Sequence, residues 1–145
     1  MSAYFDTGVV LKWYVPEPNS DAAQSVRRKF SPPVWLTPLH QVEFNVALRL
    51  KVFRQEIQPM QLLRALDFFK GDQQTGIYRE APVDFRTVCE RANLLADRFS
   101  ATLGTRTLDI LHVASALELR CTDIVTADER QARLATAAGL KVTRL

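Results

Sequence analysis

The sequence predicts an α/β protein: one domain spanning residues 1–145, with a central, mostly parallel β-sheet flanked by α-helices in an α/β/α arrangement. Three observations predict it. Short apolar segments of strand character are separated by helical stretches rather than tight turns, which demands crossover connections and hence parallel pairing. The chain is 145 residues long, enough for one continuous core and too short for two ordinary domains. Its 47% hydrophobic and 24% charged residues have the balance of a globular protein that buries a core.

Ala3–Phe5 forms the first strand, and a helical turn follows over Val9–Tyr14. Pro16 and Pro18 interrupt that turn. Asn19 or Ser20 then caps a helix running to about Phe30. Pro32-Pro33 closes it, and Val34–Leu36 is the second strand. Thr37-Pro38 places a cap before a proline at the first helical position, starting a helix from Leu39 to about Phe53. A further helix begins at Gln58-Pro59 and runs to Lys70, with GDQQTG as a loop. Ile77–Pro82 is a strand, and Asp84 caps a long helix over Phe85–Ala101. Thr105 or Thr107 starts a helix to Leu119. Asp123–Thr126 is a strand, Glu129–Ala138 a helix stopped by Gly139, and Lys141–Leu145 the last strand.

No apolar run is long enough to cross a bilayer, and the N-terminus lacks the basic segment and cleavage site of a signal peptide. The expectation is a cytoplasmic protein with no membrane partner. Cys89 and Cys121 form no CxxC and sit among apolar residues, as buried free thiols do. The net charge of +3 comes mainly from arginine, fourteen residues against five lysines. Arginine is the better fork for phosphate oxygens, so this bias is compatible with a nucleic-acid partner.

In parallel α/β sheets, ligands bind outside the carboxyl ends of the strands. Of sixteen acidic residues, four stand out. Asp6 follows the first strand, and Asp128 lies just past the strand ending IVT. Asp109 occupies the first turn of LDILHVASAL, a segment apolar on nearly every side. Glu43 interrupts a helical stripe of Leu39, Val46, Ala47 and Leu50. Glu56, Asp67, Asp72, Glu80 and Glu90 have polar surroundings and read as surface.

An ionised carboxylate is costly to bury without a cation or donors. Each of the four has a structural alternative: Asp6 and Asp128 as helix caps, Asp109 at the positive end of its helix, Glu43 paired with an arginine. Taken together they suit a multivalent cation. All-oxygen ligation selects a hard ion, magnesium or manganese. Zinc is disfavoured by the spacing of His40 and His112, and His112 reads as a hydrogen-bonded core residue.

The segments FDTGVVLKWYV, VEFNVALRLKV, LGTRTLDILHVASAL and IVTADERQARLATAAGLKV, in this order, resemble the PIN-domain ribonucleases, especially VapC-type toxins of toxin–antitoxin pairs. The resemblance covers the whole chain. It implies a catalytic and metal-binding quartet of Asp6, Glu43, Asp109 and Asp128. Thr7 beside the first acid, Thr126 two positions before the last, and Arg106 ahead of the third are implied as supporting residues. Gly8 stands where the family often has serine. The activity implied is magnesium-dependent endonucleolytic hydrolysis of RNA, with manganese as a substitute. The implied partners are an RNA substrate, a small antitoxin and a second copy of the chain in a homodimer.

Alternatives are a non-catalytic RNA-binding or scaffold domain of the same fold, or a nuclease of RNA processing that has no antitoxin. A phosphatase of the haloacid dehalogenase type needs a second acid two residues after the first, where this chain has Gly8. Phe44, Leu48 and Val52 form a second apolar face on the Glu43 helix, which suits either core packing or an interface.

Overall fold

The twelve short elements that the sequence pattern separates by proline, glycine and capping residues recur in the computed structural model, which describes residues 2–145. Among the described residues every strand pairing is parallel, as crossover connections require. The chain divides into two compact units, and the strands divide with them.

One unit takes the residues up to Asp6 together with Ala81–Leu145. Its sheet has the order β1 (Ala3–Phe5), β4 (Asp123–Thr126), β5 (Lys141–Arg144). Register pairs Ala3 with Asp123 and Phe5 with Val125, and β4 carries on to pair Asp123 with Lys141. All of β1 and β4 is buried, with the apolar Ala3–Phe5 and Ile124–Val125 joined by the buried polar Asp123 and Thr126. Around them lie α5 (Phe85–Leu95), α7 (Thr107–Glu118) and α8 (Glu129–Ala137).

Asp84 starts α5 as expected, its carboxylate accepting from the Thr87 amide. The single helix expected over Phe85–Ala101 instead passes into a π-helical turn, Ala96–Ser100, and a last short segment α6, Ala101–Leu103. Gly104, at φ 64°, stops it in the left-handed region that a side chain resists. Inside this unit His112 is 2% exposed and its Nδ1 meets the Tyr4 hydroxyl at 2.7 Å, the core role expected of it.

The other unit, Thr7–Glu80, pairs β2 (Val34–Leu36) with β3 (Tyr78–Glu80). It also holds α1 (Thr7–Leu11), α2 (Ser20–Arg27), α3 (Pro38–Phe53) and α4 (Pro59–Gln74). Thr37 and Pro38 open α3 as the sequence predicts, but the partner of the Thr37 amide is His40, whose Nδ1 accepts at 3.0 Å. The core is aromatic. Phe44 stacks on Phe69 with centroids 4.1 Å apart, and Tyr14 meets both edge-on at 5.5 Å.

Two expectations about α4 fail. GDQQ is no loop: α4 continues to Gln74 and only Thr75-Gly76 ends it. Asp72 in that stretch is half-buried rather than a surface acid, because its Oδ2 accepts from the Tyr14 hydroxyl at 2.6 Å. That bond draws the last turn onto the core and offsets the helical cost of Gly71. Tyr14 also shares a 2.7 Å bond with the Tyr78 hydroxyl, and burial pushes both phenols well above the ordinary tyrosine range.

Both cysteines are free thiols; Cys121 is buried, whereas Cys89 is half-buried rather than buried as expected. Among the described residues no helix is long and apolar enough to cross a membrane.

Candidate active site

Asp6, Thr126, Asp128, Asp109 and Arg106 belong to the first unit. The β1–β4 register dictates their meeting: because Phe5 pairs with Val125, the next residues, Asp6 and Thr126, leave the two strands side by side at their carboxyl ends. The Asp6 amide continues the ladder, donating to the Val125 carbonyl at 3.1 Å. Asp6 is 7% exposed and Thr126 fully buried. The Thr126 hydroxyl donates to Asp6 Oδ2 and accepts from the Asp128 amide at 3.0 Å. One side chain thereby orients the first acid and the turn that carries the last.

Asp128 is itself exposed and caps α8, its Oδ1 accepting from the Gln131 amide at 3.0 Å. The capping alternative therefore holds for this residue, and a cap uses one carboxylate oxygen only. Asp109 is half-buried at the third position of α7. Its Oδ2 accepts from the Arg106 amide at 3.3 Å, so Arg106 supports the acid through its backbone, while its side chain is exposed. Burial raises the Asp109 carboxyl above the usual range, and the negative charge of Asp128 adds to the shift. Arg130 and His112 pull it the other way.

Glu43 and Thr7 belong to the second unit. The Thr7 hydroxyl donates to Glu43 Oε1 at 2.9 Å, and Thr7 is the peptide neighbour of Asp6. The stripe that Glu43 interrupts is not core, as the sequence suggested. Val46 and Leu50 are 48% and 41% exposed, and the buried face of α3 is the one bearing Phe44 and Leu48. Sequence reasoning also passed over Glu129, next to Asp128. It bonds Arg133, four residues on, and Arg144 at the end of β5. The Glu–Arg spacing on α8 was readable; the β5 partner was not.

Among the described residues, no three or more His, Cys, Asp or Glu side chains stand close enough together to hold a metal ion. Magnesium does not require such a group, since it takes one or two carboxylates and keeps its waters. Carboxylate oxygens such as those of Asp6, Asp109 and Asp128 are, one by one, hard donors of the kind that this ion or manganese takes. Zinc sites favour nitrogen and sulfur ligands, which these acids do not supply.

No curated protein matches this chain in sequence. Among solved structures, FitAcB from Neisseria gonorrhoeae has the same fold, with a TM-score of 0.66 at 14% identity. The alignment covers 99% of this chain and 97% of that one. The profile of the PIN domain, a nuclease superfamily, matches residues 3–137. A match of that extent takes in both units, every strand but the last, and all the acids named above; the chain belongs to the PIN domain family.

Proposed function

We propose that this protein is a divalent-cation-dependent endoribonuclease, the toxin of a type II toxin–antitoxin pair, acting in the cytoplasm under the control of a small antitoxin. The observation that carries the reading is the hydroxyl of Thr126 joining Asp6 to the Asp128 turn at the carboxyl ends of β1 and β4. A buried carboxylate so oriented, in a chain of a nuclease family, is suited to holding a cation against a phosphate.

Asp6 and Asp109 hold magnesium or manganese in this reading, with Glu43 and Asp128 as the supporting carboxylates. Bound there, the ion supplies Lewis acidity toward a phosphoryl oxygen and an acidified water as nucleophile. Thr126 fixes the direction of the Asp6 carboxylate. Thr7 does the same for Glu43 through its 2.9 Å bond. Arg106 holds Asp109 by its amide, which leaves the guanidinium for phosphate. Exposed apolar residues support a covering partner: Val42, Val46, Leu50 and Phe53 follow one another along α3, and Phe53 is 83% exposed. Met60, Leu63 and Phe68 are likewise exposed on α4. A second copy of the chain on this face gives the homodimer.

The test is cleavage of bulk RNA by purified protein in magnesium or manganese, against a chelated control. Asp6→Asn and Asp109→Asn remove charge and keep shape, and each should abolish cleavage and relieve toxicity on expression. Full activity in both variants would overturn the assignment. RNA binding by the wild type with no cleavage in either metal would leave a non-catalytic RNA-binding domain.

A further inference from the structure

A cavity of about 650 Å³ opens in the first unit between α8, β5 and the end of α6. Its apolar lining includes Leu103, Ala132 and Val142, and its charged lining includes Glu129, Arg133 and Arg144. The charged residues are linked. Glu129 takes Arg133 Nε on Oε1 at 3.1 Å and Arg144 on Oε2, so one carboxylate holds two guanidiniums. All three side chains are about half exposed or more. Two cations against one anion leave the pair with a surplus positive charge and with donors still open to solvent, since each guanidinium has five N–H groups.

We propose that this cavity is a nucleotide subsite for single-stranded RNA, with Arg133 and Arg144 on a backbone phosphate and a base on the Leu103–Ala132–Val142 surface. The inference rests on the ribonuclease reading for the identity of its ligand, and it adds a place where the strand is held away from the carboxylates. Three features favour it. The volume lies in the range of small-ligand sites. Paired guanidiniums match the fork of phosphate oxygens. Glu129 directly follows Asp128 in the chain, so a strand reaching that turn passes the arginine pair. The one hydroxyl in that surface, Thr136, already donates to the Ala132 carbonyl at 2.9 Å, so the surface offers a base mainly stacking and the subsite discriminates weakly among the four bases.

Glu129 competes with phosphate for both arginines. This produces a signature that a merely structural ion pair does not: removing the acid should tighten RNA binding, and removing the bases should weaken it. The measurement is fluorescence anisotropy of the full chain with a labelled single-stranded RNA of mixed sequence, about 12 nucleotides long. It is run in chelator and in the Asp6→Asn background, so that cleavage plays no part. Arg133→Ala with Arg144→Ala should weaken binding about tenfold and lower the salt slope by about 1. Glu129→Gln should tighten it by about threefold, the reverse effect on the same guanidiniums.

Unchanged affinity and slope in both variants overturn the subsite. Displacement of the RNA by a polyglutamate peptide at equal strand concentration also overturns it, assigning the arginines to an acidic protein segment. The ribonuclease reading fails separately. If the wild type never cleaves RNA while the arginine and glutamate variants shift binding as stated, the subsite stands and the catalysis does not.

Discussion

Thr126→Val tests the central claim about how the acids are held. Valine keeps the β-branched shape of a fully buried strand residue and deletes only the hydroxyl. Two bonds go with it. The donation to Asp6 is to a charged acceptor in a buried setting, worth about 1.5–3 kcal/mol. The bond accepted from the Asp128 amide is neutral, worth about 0.5–1.5 kcal/mol, and the exposure of Asp128 lets water replace part of it. The loss should come to about 2–4 kcal/mol, or about 5–15 °C in Tm for a chain of this size. Thr126→Ser keeps the hydroxyl and gives up one methyl group, so it should cost only about 1 kcal/mol. Urea unfolding followed by circular dichroism, in chelator, measures both. A double-mutant cycle with Asp6→Asn should show a coupling of about 1–2 kcal/mol. A valine variant within 0.5 kcal/mol of wild type, or zero coupling, would refute the tie between Asp6 and Thr126.

The tyrosines make a pH prediction. Burial raises the phenols of Tyr14 and Tyr78, so the folded chain keeps two protons that the unfolded chain releases near pH 10. Stability should therefore be undiminished by these groups below about pH 10 and fall as pH climbs above it. Ultraviolet titration should show them ionising only together with loss of the circular dichroism signal; smooth ionisation in the folded state would contradict the Tyr14–Asp72–Tyr78 arrangement. The α3 face makes a prediction about assembly. Val46→Glu with Phe53→Glu should turn a dimer into a monomer by light scattering, and a monomeric wild type at high concentration would dismiss the homodimer.

The residues that were legible in the sequence are those whose role is local. Asp84 before Phe85, Thr37 before Pro38 and Gly139 after α8 act within one turn of their own position, and each does what its side chain and φ allow. Asp6 and Asp128 could be placed at strand ends because the apolar Ala3–Phe5 and Ile124–Val125 mark β1 and β4 just ahead of them. Errors arose where a distant residue decides. The turn at Asp72 is helical because Tyr14, 58 positions earlier, holds it. The two faces of α3 are both apolar in sequence, so no pattern could say that Phe44 goes inward to Phe69 while Val46 stays out. Glu129 finds Arg144 only through the β4–β5 pairing. The carboxylates themselves became a set through their likeness to a family, because burial alone gives each of them a private explanation.

The β1–β4 ladder has a consequence for how the chain is made. Ala3 leaves the ribosome 120 residues before its register partner Asp123. At about 5–20 residues per second, β1 waits roughly 6–24 s for the strand that completes it. Thr7–Glu80 is continuous and can close its own aromatic core during that interval. The bond from Thr126 to Asp6 cannot exist until the 120 residues after Asp6 have emerged. Any chain cut short before β4 lacks the oriented acid as well as the sheet. Under the ribonuclease reading we propose, the chain is thus assembled with the hazardous step last.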